Sequence, residues 1–355
     1  VPAANVFFLR ILWKDSGHRL HMSEPEHGDR NQALDFTKGA LVLFMILYHW
    51  INYFVGIGGP VFTYLRFVPP AFIFIAGFVI ANVYPPKYGF GDSRVYKRLV
   101  IRGLKLLALF TFLNVIANIF FARSNRWVMP GIDGFFRDAA AIYISGNAKA
   151  AFGVLVPIGY LLLLSAGVFL AARVYKNSVH RIGMAVLLCV VFLNLYGFPS
   201  QNLWFIAIGL FGMVFGFYPI KEVNKWVDHP YAVVCANIGY IFAISMWGTS
   251  DLLQVLGVCL SVSLIYLIGA KSADWGGIRG PIILLGKYSL FGYVAQIGVL
   301  QLLHRGLPYL KLNDWILWPL SFLGAFVLTI ILVRLVQDVR PKSRSMDWLY
   351  RAVFT

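Results

Sequence analysis

The sequence predicts an all-α polytopic integral membrane protein with about ten transmembrane helices and with N- and C-termini both cytoplasmic. Three observations predict it. The 355 residues are 59% hydrophobic and only 13% charged, with a mean hydropathy of +0.72, whereas a soluble domain is about 45–50% apolar and about 25% charged. Ten apolar runs reach, within a few residues, the roughly 20 needed to cross a bilayer. Threading those runs through a membrane gathers most of the basic residues on one side.

Residues 1–30 are expected to form a cytoplasmic N-terminal extension. Its opening, VPAANVFFLRILWKD, is too short and too interrupted by Arg10 for a signal peptide, and Met22 opens a plausible beginning, MSEPEHGDRNQ, so residues 1–21 read as an addition to it. A membrane domain over 31–338 follows, with spans at 33–57, 64–84, 99–121, 150–173, 182–198, 202–220, 231–248, 252–270, 281–303 and 315–337. The close pair 182–198 and 202–220, split by GFPSQN, reads as a hairpin rather than one kinked element. The longest outer loop, 122–149, mixes glycine, proline, aromatics and both charge signs, and is expected to carry a short interfacial helix over 134–144. Residues 339–355 read as a basic cytoplasmic tail.

With the N-terminus inside, 24 of the 31 lysines and arginines fall on the cytoplasmic side, the bias that sets membrane topology. The net charge of +16 is thereby topological. Membrane lipids are the expected partner, nucleic acid is not, and a soluble enzyme is excluded. Cys189, Cys235 and Cys259 lie in apolar runs with no spacing for zinc or a disulfide framework. They read as small core residues, and no metal is expected.

The first span, ALDFTKGALVLFMILYHW, carries an acid, a base and a histidine, although polar groups at membrane depth cost a few kcal/mol or more unless paired or used. Lys38 and His49 are eleven residues apart, about 20° from a whole number of turns and roughly 16 Å along a helix axis. They therefore share a face. Asp35 lies roughly 21 Å from His49 and cannot orient its ring; it pairs instead with Lys38 at i,i+3 and gains from the positive helix terminus. A lone His49 would ordinarily be a core histidine hydrogen-bonded to a neighbouring helix. The cation on its own face argues for a role.

The stretch RNQALDFTKGALVLFMILYHW resembles the opening helix of the membrane acyltransferase-3 superfamily, which includes heparan-α-glucosaminide N-acetyltransferases and periplasmic-glucan succinyltransferases. The family pattern is an acid, then Arg-Gly, then a catalytic histidine, here Asp35, Lys38-Gly39 and His49. FVPPAFIFIAGFVIANVY (67–84) resembles the second span, with its F-x-F-x-x-G core from Phe72 to Gly77. YKRLVIRGLKLL (96–107) resembles the basic start of the third, and LGKYSLFGYVAQ (285–296) the late G-x-x-S-L-x-x-Y span. The resemblance covers 30–337 in order, and the first motif carries most of its specificity.

It implies an acyl-CoA co-substrate, acetyl-CoA foremost, entering from the cytoplasm, and an acyl group passed to an acceptor, often a sugar, at or across the membrane. A bacterial plasma (inner) membrane is the expected location. The pantetheine arm is about as long as the Lys38–His49 separation, so a phosphate near Lys38 puts a thioester near His49, a positioning that can supply much of the rate. His49 then acts as general base, with transient acylation of His49 the alternative. Arg98 and Arg102, at i,i+4 with Lys97 and Lys105 nearby, are candidates for the CoA phosphates, which planar guanidinium forks suit; a plain anchor at lipid headgroups is the other reading. Gln296, in the ninth span, stands where some relatives have histidine, and is a candidate for the donor site or for ordinary helix packing.

Two departures bear on activity. Lys38 replaces the family's arginine, keeping the charge but losing bidentate contacts, and Gln296 is neither acid nor base. These, with ten tryptophans and a 16% aromatic content, support a second hypothesis: a catalytically silent member of the fold serving as subunit or scaffold of a complex with a protein partner. A transporter, with the polar face of the first helix lining a path, is the third.

Overall fold

In the computed structural model, residues 31–56, 60–89, 92–121, 132–146, 150–175, 178–272, 275–311 and 313–354 are described; the N-terminal extension expected over 1–30 lies outside them. Helix α1 (Gln32–Trp50) begins where Asn31 caps it, its side-chain oxygen accepting from Leu34 N at 3.0 Å, which satisfies one of the orphan donors of a helix start. The Asn31 amide also donates to the Tyr266 hydroxyl (3.2 Å), which donates to Asn224 (2.7 Å), pinning this end of the helix. The far end widens into a π turn, Ile51–Val55, closed by Gly56 at φ 108°.

The chain returns through α2 (Val68–Tyr88) and crosses again as α3 (Ser93–Phe121). After α4 (Ile132–Arg137), it continues through α5 (Leu155–Val174), α6 (Val179–Phe192), α7 (Gln201–Gly216), α8 (Ile220–Val227), α9 (Pro230–Trp247) and α10 (Asp251–Lys271). The last four helices are α11 (Gly276–Lys287), α12 (Ser289–Gly306), α13 (Asp314–Val339) and α14 (Arg344–Phe354). No strand occurs among the described residues.

Among the described residues, each of the ten apolar runs is largely helical. Eight, including extensions into adjoining turns, are long and apolar enough to cross a membrane. Two differ from expectation. The run at 202–220 folds as a 16-residue helix, α7, and pairs with α6 as a hairpin. The run at 281–303 is not one continuous helix: it breaks at Tyr288, where α11 and α12 meet at 95°. Tyr288 sits at φ −110°, ψ 29° and donates to the Leu284 carbonyl, closing α11 before α12 starts.

Packing separates central from peripheral helices. The apolar windows of α2 and α5 are 72% and 67% buried, those of α6 and α9 only 17%. Outward residues of peripheral helices are apolar because their solvent is lipid. This corrects the reading of the cysteines: Cys189 on α6 and Cys235 on α9 are exposed, and Cys259 is half-buried. In the long loop at 122–149, residues 132–146 form α4 and a π turn, Ala141–Ser145. Asn202 anchors it by donating to the Ile142 and Tyr143 carbonyls, both at 3.0 Å. Residues 122–131 and 147–149 lie outside the described residues.

The tightest contacts are backbone to backbone. A Cβ on Gly39 of α1 would stand 1.8 Å from the Ile282 carbonyl oxygen of α11, and one on Gly286 would stand 1.8 Å from that of Asp35. Gly212 of α7 lies likewise against the Phe74 carbonyl of α2, at 2.1 Å. Small residues permit such approaches between membrane helices. Gly286→Ala is expected to lower the thermal unfolding midpoint of the detergent-purified protein, by a loss of about 1–3 kcal/mol or more from overpacking. Gly298→Ala, where an added Cβ meets nothing within 4 Å, is expected to leave it unchanged or raised.

Candidate functional site

The Asp35–Lys38 pair forms as expected, with Lys38 Nζ 2.6 Å from the Asp35 carboxylate. Asp35 is only 2% exposed, and the neighbouring Gly39 and the Asp35 carbonyl are where α11 presses its backbone on α1. The ion pair therefore sits at the crossing of the first helix with the broken ninth element. It is held in place by the absence of side chains between them.

At the other end of α1, His49 Nε2 is buried and has no hydrogen-bond partner among the described residues. Aromatic rings surround it: Tyr48 at 5.3 Å and Tyr293 of α12 at 6.3 Å between ring centroids. Tyr293 is itself flanked by Phe72 of α2 at 6.0 Å and by Phe152 at 6.4 Å. Phe152 adopts φ 60°, a conformation that costs a non-glycine residue of order 1–3 kcal/mol and persists only where its surroundings enforce it. They do so here: Asn114, from α3, donates to the Ala151 carbonyl (2.8 Å) and accepts from the Ala151 N–H (3.0 Å). One turn beyond Tyr293 on α12, Gln296 is fully buried, and neither its amide nitrogen nor its oxygen has a partner among the described residues. Buried polar atoms are nearly always satisfied, so the unmatched His49 Nε2 and Gln296 amide, on two helices that meet through Tyr293, mark positions suited to polar groups of something else.

Beyond the histidine, Trp50 donates to Ser321 at 3.0 Å and ties α1 to α13, while Tyr53 and Phe54 close on His304 at 5.7 and 5.5 Å.

Because α2 returns across the membrane, its Tyr84–Tyr88 end lies on the same side as Lys38. There Arg98 donates to the Tyr88 hydroxyl and Arg102 to that of Tyr84, and the Arg98 guanidinium lies 4.7 Å above the Tyr88 ring. Arg94 hydrogen-bonds Asp92 and holds its carboxyl below the usual range. The two arginines are thus organised by α2 tyrosines and belong to the α2–α3 corner rather than to the Asp35–Lys38 pair. Among the described residues, no three His, Cys, Asp or Glu side chains come together as a metal site.

Of the residues proposed from sequence, the structure brings Asp35 to Lys38 and buries Gln296 on α12, one turn from the Tyr293 that faces His49. Tyr293, Phe72, Phe152 and Asn114 were not singled out. Two of them carried a signal: Phe72 opens the F-x-F-x-x-G stretch and Tyr293 ends the G-x-x-S-L-x-x-Y stretch, and these two ends meet over His49.

Removing one member of a buried ion pair costs about 3–5 kcal/mol, whereas replacing both members can be near neutral. Lys38→Met is therefore expected to lower the unfolding midpoint, and the double variant Asp35→Asn/Lys38→Met to recover part of the loss. A double-mutant cycle by thermal unfolding checks this.

No curated protein matches the chain. Residues 31–334 match the acyltransferase-3 family, described as an acyltransferase domain. That span holds both ends of α1, the α2–α3 corner and the broken α11–α12 element, and the chain belongs to this family of membrane acyltransferases.

Proposed function

We propose that the protein moves an acyl group from cytoplasmic acyl-CoA to a hydroxyl or amine acceptor, most naturally on a carbohydrate, at or across the membrane. The observation that carries this reading is the buried Nε2 of His49, without a hydrogen-bond partner among the described residues, on the same helix face as Lys38, with the likewise unmatched Gln296 amide one turn from the Tyr293 that faces it. A thioester carbonyl and an acceptor group offer what these three atoms lack.

The basic surplus puts the Lys38 end of α1 at the cytoplasm. Lys38, steadied by Asp35, meets a phosphate of the donor there, and Arg98 and Arg102 at the adjacent corner hold the others. Roughly 16 Å of helix separates Lys38 from His49, which suits the pantetheine arm. His49 accepts the acceptor's proton as its oxygen or nitrogen bonds to the carbonyl carbon. The carbon–sulfur bond breaks, and the proton passes from His49 to the departing thiolate. Gln296 needs no acid–base capacity in this scheme. Its amide N–H donates to the carbonyl oxygen as charge develops there, a role in which one donor is worth about 10²–10³ in rate.

The test is reconstitution of the purified protein in vesicles with radiolabelled acetyl-CoA and a mixture of soluble glycans. His49→Ala and His49→Asn are expected to lose at least about 10²-fold in transfer, the scale of a general base, while remaining folded. Turnover unchanged in either variant would remove His49 from the site. Gln296→Leu separates site from packing: with no hydrogen bond to lose among the described residues, its unfolding midpoint is expected to hold or rise, while transfer slows about 100-fold.

A further inference from the structure

Helix α14 lies outside everything assigned so far. It is strongly amphipathic and docks on the break between α11 and α12. Tyr350 stacks edge-on against Tyr288 at 5.5 Å, and Phe354 against Phe291 at 5.4 Å. Between α14 and the end of α13 lies a cleft of about 490 Å³ lined by Tyr288, Arg340, Pro341, Arg344, Asp347 and Arg351. Three guanidinium groups thus face one carboxylate.

The arginines are not equivalent. Arg340 is fixed as a wall: it donates twice to Asp347, at 2.7 and 3.1 Å, and lies 4.0 Å over the Tyr350 ring. Arg351 shares Asp347 from the other side, at 2.6 Å, but is otherwise largely exposed. Arg344 is exposed and makes no ion pair among the described residues. One carboxylate cannot balance three cations, and the surplus is presented by side chains whose planar forks match phosphate oxygens.

The surroundings say where that phosphate sits. Trp348, 71% exposed, Leu349 and Met346 project from the same helix. A helix with exposed apolar side chains beside arginines lies in the membrane interface. The cleft is also on the Lys38 side of the bundle, since Tyr288 follows two residues after the Gly286 that touches Asp35.

We propose that this cleft binds the phosphate of an anionic amphiphile at the membrane surface, with Arg344 and Arg351 as the recognising forks and Arg340 as the preset wall. A phospholipid headgroup and the nucleotide end of a CoA ester carry the same chemistry. The site stands apart from His49 and does not depend on the role given to it.

The experiment is thermal unfolding of the full-length protein in detergent, titrated separately with dioleoyl phosphatidylglycerol, dioleoyl phosphatidylcholine and adenosine 3′,5′-bisphosphate. Arg344→Gln and Arg344→Gln/Arg351→Gln are measured alongside. A saturable rise in midpoint is expected with phosphatidylglycerol or the bisphosphate, with apparent affinity weakened at least about tenfold in the double variant, the scale of a lost charge-assisted contact. A response to the lipid alone identifies a headgroup site, and to the bisphosphate alone a nucleotide site. Arg344 makes no ion pair among the described residues, so Arg344→Gln should unfold like the parent without ligand and still bind more weakly. No saturable response to either probe, an equal response to phosphatidylcholine, or a response unchanged in the variants would overturn the proposal.

Discussion

The contact between the backbones of α1 and α11, with Gly286 against the Asp35 carbonyl and Gly39 against that of Ile282, sets the positions of most groups around the candidate site. It holds the Asp35–Lys38 pair at a helix crossing and places the break at Tyr288 next to it. From that break α12 starts in the direction that carries Tyr293 to His49. A side chain at either glycine would push α11 outward, and both the charged end and the aromatic end of α1 would lose their neighbours.

Around that contact the polar groups divide by how well they are satisfied. Asn31, Asn114, Asn202 and Ser321 each bridge helices through hydrogen bonds of 3.2 Å or less. His49 Nε2 and the Gln296 amide do not. The surrounding hydrocarbon offers no water to compensate such atoms, so leaving them unmatched by protein groups costs stability that the rest of the bundle has to offset. The strained Phe152, clamped by Asn114 and turned onto Tyr293, is a second expense at the same place. Local rules broken together around one histidine fit a site better than a defect in packing.

Much of this was legible in the sequence. Apolar length gave the helices and their order, because every backbone polar group at membrane depth must be satisfied within a helix. The i,i+3 spacing gave the Asp35–Lys38 pair, and four motif stretches pointed to family membership. What was not legible has common physical causes. Core-facing and lipid-facing residues are both apolar, so hydropathy could not tell that Cys189 and Cys235 point outward. The run 281–303 is apolar enough overall to read as one span despite Lys287 and Ser289, and its break lies beside a close approach to α1 that only the fold reveals. Asn114 and Ala151 are 37 residues apart, and Arg98 and Arg102 find tyrosines on another helix; no local pattern records such pairs.

The central claim is that α1 holds an acyl-CoA donor between Lys38 and His49. The most direct test is thermal unfolding of the detergent-purified protein against increasing acetyl-CoA and free CoA, for the parent chain and Lys38→Ala. A ligand bound only by the folded state adds about 2.7 kcal/mol at 100 times its dissociation constant. The account predicts a saturable rise in midpoint with acetyl-CoA that moves to markedly higher concentration in Lys38→Ala. No rise with acetyl-CoA, succinyl-CoA or longer acyl-CoA esters, or a rise indifferent to Lys38, would contradict it.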